Sequence, residues 1–166
     1  MARRHHGLYG AEGKRGRTVG GIEEDIGALV FHDMELREKL DYWLDIALYD
    51  LETAEAMFTS GRWLYVVFMC QQAIEKLCKG LYLLFIDDDI PKIHDINSLL
   101  TKFEDKLPVA IDDEKRLLFA KLSAFYLNNR YPKYKERLSV SLNKEEAQNI
   151  LEQTREAFTW LQTLKP

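Results

Sequence analysis

Within the segment FMCQQAIEKLCKGLYLL, Phe68 to Leu84, five polar side chains interrupt an otherwise apolar run: Gln71, Gln72, Glu75, Lys76 and Lys79. Helical spacing puts Gln72, Lys76 and Lys79 on one face and lets Glu75 pair with Lys79 across one turn. Two adjacent glutamines and two lysines supply N–H donors of the kind that hold a phosphate or a partner's carboxylate. The same spacing also describes a solvated stripe with no ligand at all.

A second candidate is YLNNRYPKY, Tyr126 to Tyr134. It sets Asn128, Asn129 and Arg130 at the end of an apolar helical run, which Pro132 then stops, because proline lacks an N–H and disfavours helical geometry at the residue before it. The residues fit either a reactive site or a polar helix end, where the helix dipole alone favours a cation.

These side chains need elements to position them. The 166 residues are 46% hydrophobic, enough for one domain with a real core. Leu36, Leu40, Trp43, Leu44, Ala47, Leu48, Leu51, Ala54, Met57 and Phe58 follow the spacing of a long amphipathic helix that Gly61 ends. A second helix is expected from about Arg62 to Ile86. Its first half, WLYVVFMC, is apolar all round, which calls for a central place in a bundle or for a subunit interface.

The acidic loop DDDIPK follows, and Asp95 is placed to cap a short helix reaching about Phe103. Beyond Pro108, Asp112 or Asp113 can cap the helix that leads into YLNNRYPKY. Asn143 with Glu146 resembles a capping box for a last helix through Leu164. The sequence shows no strand pattern, internal repeat or glycine-rich phosphate loop. The expected fold is all-α, an up-and-down helical bundle of four long helices plus one short one.

Residues 1–33 stand apart as a flexible basic extension, with Arg3, Arg4, Lys14, Arg15 and Arg17 among glycines. The bundle domain is expected over residues 34–166. A net charge of −4 argues against a broad nucleic-acid-binding surface but leaves room for a local basic pocket. No run reaches the roughly 18 apolar residues of a membrane span, and no apolar signal segment is visible, so a cytoplasmic protein is expected. Cys70 and Cys78 fall within one apolar helical pattern, as buried free thiols rather than a disulfide or metal site.

The order FMCQQAIEKLCKGLYLL, then HDI at His94 to Ile96, then YLNNRYP resembles the HEPN domain, named for higher eukaryotes and prokaryotes nucleotide-binding. The resemblance runs from Met34 to Leu164. It implies a small helical bundle that forms a homodimer across the face bearing the arginine motif, and a minimal nucleotidyltransferase as partner. It also implies, for many members, metal-independent ribonuclease activity in toxins and phage defence. In those members an arginine is followed after four to six residues by a histidine, and dimerisation joins two such pairs in a cleft. A base that titrates near neutrality and a cation beside the phosphate suit cleavage through a 2′-hydroxyl.

This chain departs from that pattern. Arg130 fits the arginine, but Lys135, Glu136 and Arg137 stand where the histidine is expected. A ribonuclease would need Glu136, Tyr134 or a distant His94 as its base. Taken as a structural residue, His94 is a turn residue before the Asp95 cap. The RYP form resembles the branch that binds nucleotides or serves a nucleotidyltransferase partner. That implies Arg130 on a phosphate, Tyr131 on a base or in the dimer cleft, and hydrogen bonds from Asn128 and Asn129. The tyrosine that some partners adenylylate corresponds to Arg137, so that transfer does not carry over. The expectation is nucleotide or RNA binding at a dimer cleft, toxin–antitoxin-like, with Lys76 and Lys79 as further phosphate ligands and no cofactor or metal. The alternatives are a ribonuclease toxin with a degenerate Arg–His motif and a structural dimeric adaptor.

Overall fold

In the computed structural model, which describes residues 19–129 and 131–165, the elements in chain order are α1 (Val19–Thr59), α2 (Trp63–Phe85), α3 (Ile96–Leu100), α4 (Asp113–Asn129), α5 (Pro132–Ser141) and α6 (Lys144–Thr163). One turn of 3-10 helix, Glu104–Lys106, follows α3. The described residues contain no strand, so the fold is the all-α bundle that the periodicity predicts.

Local chemistry sets most of the helix ends. After α1, Gly61 takes a φ of 69°, a left-handed conformation that glycine adopts without steric cost. The Arg62 N–H then bonds the Met57 carbonyl and the Gly61 N–H bonds that of Phe58, the paired bonds of a Schellman stop. Asp95 caps α3 by accepting from the Ser98 N–H at 2.7 Å. Asp112 accepts from the Lys115 N–H at 2.8 Å before α4, and Asn143 from the Glu146 N–H at 2.8 Å before α6.

Two ends differ from the sequence expectation. α1 begins at Val19, so residues 19–33 of the expected extension are helical, while residues 1–18 lie outside the described residues. Pro132 does more than stop a helix: it stands first in α5, an element beyond the four long helices and one short one expected. Proline's fixed φ suits the first helical position, where its missing N–H costs nothing.

The chain divides into two units, Met1–Glu35 and Leu36–Pro166. The helical residues of the first include exposed Ile26, Leu29, Val30 and Met34. In the second, α2 is the central helix and packs against α3, α4, α5 and α6. Val66, Val67, Cys70, Ile74, Leu77 and Leu81 are fully buried there, against Leu99, Phe103, Phe119, Leu122, Ile150 and Leu161. The apolar WLYVVFMC run is thus largely covered by the chain's own helices, Tyr65 being its exposed member. No helix among the described residues is long and apolar enough to cross a membrane.

Candidate functional site

A charge placed on a central helix must be paired, because an isolated one is too costly to take out of water. Glu75 meets this condition on α2 at 4% exposure, beside Gln71, which is fully buried. Its Oε2 accepts from Gln71 Nε2 at 2.7 Å, and its Oε1 accepts from Lys79 Nζ at 2.7 Å. The same Oε1 lies 3.1 Å from Nδ1 of His94, on the loop between α2 and α3. Gln72 Nε2 completes the group by donating to Gln71 Oε1 at 2.6 Å.

His94 is held from several directions. Gln71 Nε2 donates its other hydrogen to the His94 carbonyl at 3.0 Å. One residue on, Asp95 caps α3, and the Ile96 N–H bonds Ser123 Oγ on α4 at 3.0 Å. The imidazole faces Tyr126 with ring centroids 5.1 Å apart, and Tyr126 in turn stacks on Phe68 at 5.8 Å. An ionised carboxylate can only accept, so the proton of a neutral His94 sits on Nδ1 and Nε2 becomes the acceptor. The side chain keeps 41% of its surface exposed, and Nε2 has no hydrogen-bond partner among the described residues. A carboxylate-oriented and partly exposed imidazole is an arrangement suited to moving a proton.

The lysines of α2 are committed elsewhere. Lys76 bonds Asp50 of α1, which is 6% exposed. Lys79, at 12% side-chain exposure, pairs with Glu75 across one turn as the spacing predicts, and its ammonium lies 5.9 Å from the centroid of the Trp43 ring. The polar series is therefore not a solvated stripe: its donors close an internal network.

Arg130 lies outside the described residues, immediately after α4 ends at Asn129. Asn128 is half-buried, and its carbonyl accepts from the Tyr131 N–H at 3.2 Å. Tyr131 is 61% exposed, and Glu136 is exposed on α5. The structure brings His94 together with Lys79 through Glu75, and holds Lys76 in a separate pair. Sequence reasoning missed Gln71 and Glu75 as the groups that hold His94, and Tyr126 as its ring partner. The available signal was a carboxylate in a helix whose first half is apolar on every side, so that it had to have partners.

Both cysteines are free and buried. Burial pushes the Cys70 thiol up to about 12 and the Cys78 thiol higher still, so neither is a nucleophile near neutrality.

Compared with known proteins, residues 40–164 match the sequence profile described as the HEPN domain. No curated protein matches the chain in sequence. Among solved structures it is similar to the crystal structure of TT1696 from Thermus thermophilus, at 21% identity and a TM-score of 0.64, over 75% of this chain and 97% of that one.

Proposed function

Because the chain belongs to the HEPN family, we propose that it binds the phosphate of a nucleotide or of RNA near the end of α4. It acts in this reading as a homodimer, beside a minimal nucleotidyltransferase partner in a toxin–antitoxin-type pair. The observation that carries the proposal is the network of Gln71, Glu75, Lys79 and His94, three residues from the central helix α2 and one from a loop. Buried ion pairs are often no more stabilising than apolar residues of the same shape, so stability alone is a weak reason for one here. A network of four whose most exposed member is His94, next to the last turn of α4, favours a ligand.

In this assignment Arg130 holds the phosphate and the exposed Tyr131 offers a ring to a base, with Asn128 and Asn129 supplying hydrogen bonds. Lys79 supports the site from within through Glu75, while the Lys76 ammonium is taken by its own pair with Asp50.

Calorimetry of the full chain with ATP and with a short single-stranded RNA, alongside Arg130→Ala, tests the proposal. The wild type should bind one of them and the variant at least tenfold more weakly, with sedimentation reporting a dimer for both. Equal affinity in the two proteins would overturn the role of Arg130.

A further inference from the structure

We infer that the cavity between α4 and α6 is a second binding site, separate from the His94 network, and that it takes an alkylammonium group: a short apolar stem ending in a positive charge. This goes beyond the phosphate-binding proposal and does not rest on it.

The cavity has an apolar wall. Leu118 of α4 and Ala157 of α6 line it and are buried, and the half-buried ring of Trp160 lines it as well. Its volume is about 110 Å³. A cavity of roughly 150 Å³ holds one benzene molecule, so this one suits a group of about five heavy atoms. It lies toward the opposite end of α4 from the His94 network. Lys115 on its lining and Tyr126 beside the imidazole are roughly 16 Å apart along the helix, at about 1.5 Å per residue.

The charge of the ligand follows from the groups around this space. The chain's own cation shows that the ring accepts one, since Lys115 Nζ lies 4.7 Å from the Trp160 centroid. The helix dipole disfavours a positive charge in the first turn of α4, so the ring and Asp112 are what hold it there. Asp112 answers that charge, because its carboxylate accepts from Lys115 Nζ while it caps the helix. Two more carboxylates, Glu114 and Glu156, line the cavity, are exposed, and have no ion-pair partner among the described residues. With Lys115 in place, the lining still carries more negative charge than positive. An anion is repelled by it, and an uncharged apolar ligand leaves both carboxylates unanswered. An alkylammonium satisfies both halves of the site, its stem against Leu118 and Ala157 and its charge beside Glu114 and Glu156. The same group ends a free aliphatic amine and the side chain of a lysine.

Heteronuclear NMR of the full chain, titrated with n-butylammonium chloride against sodium chloride at equal ionic strength, tests the site. The Trp160 indole N–H, identified by its loss in Trp160→Phe, and the amides around Ala157 should shift saturably, with a dissociation constant on the order of 1 mM for so small a ligand. n-Butanol, of the same length but uncharged, should bind about fivefold more weakly. Glu114→Gln with Glu156→Gln, both at exposed positions, should weaken the amine about threefold. Lys115→Ala removes a like charge and uncovers the ring face, and should tighten binding about twofold. A short lysine-containing peptide, titrated alongside, separates the sources: tighter binding of the peptide assigns the cation to a partner's lysine, tighter binding of the amine to a small molecule, and both support the site. Equal affinity for butanol, unchanged affinity in the double glutamine variant, or weaker binding by Lys115→Ala overturns the inference, as does the lack of a saturable shift up to ~10 mM amine. Phosphate binding is read separately, by calorimetry with Arg130→Ala, and stands or falls independently of these outcomes.

Discussion

His94 and Lys79 share a single carboxylate oxygen: Glu75 Oε1 lies 3.1 Å from Nδ1 of the histidine and 2.7 Å from the lysine ammonium. The loop between α2 and α3 is thereby fastened to the one helix that most of the others cover. Removing the carboxylate strands a lysine that is 12% exposed. Breaking a buried pair by taking one partner costs about 3 kcal/mol or more. Glu75→Ala is therefore expected to lower the unfolding free energy by ~3 kcal/mol in urea titrations, and Glu75→Met with Lys79→Met to recover much of it. A loss below ~1 kcal/mol for the single variant would mean that the lysine escapes to water.

Asp95 predicts a local effect rather than a global one. Its side chain accepts from the Ser98 N–H at 2.7 Å, and α3 has only five residues to which that bond matters. Asp95→Ala should cost ~1 kcal/mol, the usual worth of an N-cap. Hydrogen exchange should quicken at the Ser98 and Ile96 amides and stay unchanged in α6. Uniform quickening across the bundle would show that the cap holds more than its own helix.

At Gly80 the side chains of α1 lie close against α2. A Cβ there would meet the Trp43 Cβ at 3.2 Å and the Leu40 Cδ1 at 3.5 Å. The first of these is next to the backbone and cannot swing aside. Alanine gains about 1 kcal/mol of helix propensity over glycine, while overpacking costs about 1–3 kcal/mol. Gly80→Ala should be destabilising by ~1 kcal/mol and Gly80→Val by more, read from thermal midpoints. A stabilised Gly80→Ala would show that α1 yields.

The helices were legible because their signals are local. The apolar spacing of Leu36 to Phe58, the Asp95 and Asn143 caps and the apolar run of α2 each act within a few residues, and each was found where the pattern put it. α5 was missed because Pro132 carries two meanings, end of one helix and start of another, and the residues after it lack an apolar stripe strong enough to choose. The His94 network was legible in part. The Glu75 and Lys79 pairing follows from i,i+4 spacing, but Glu75 and His94 stand 19 positions apart across a loop whose path no local rule dictates. Lys76 shows the same limit, since its partner Asp50 lies 26 residues away on another helix.

The buried thiols give a pH dependence whose sign follows from burial. A thiol is charged only when deprotonated, and burial favours the neutral form, so the folded chain keeps its thiol protons where the unfolded chain has released them. Burial raises Cys70 from an ordinary value of 9.0 to about 12, and Cys78 in the same direction. Their contribution to stability is intact below about pH 9 and declines as pH rises from there toward 12. The slope is ~1.4 kcal/mol per pH unit for each thiol. Urea midpoints should therefore fall between about pH 9 and 10.5, and Cys70→Ala with Cys78→Ala should flatten the fall even though it starts from a less stable protein. At about pH 8 a thiol-reactive disulfide reagent should leave the native chain unlabelled for as long as it stays folded, and should modify both cysteines in urea. Rapid labelling of the native protein would mean that α2 opens locally around Cys70, and that the network on the same helix is less firmly held than its geometry requires.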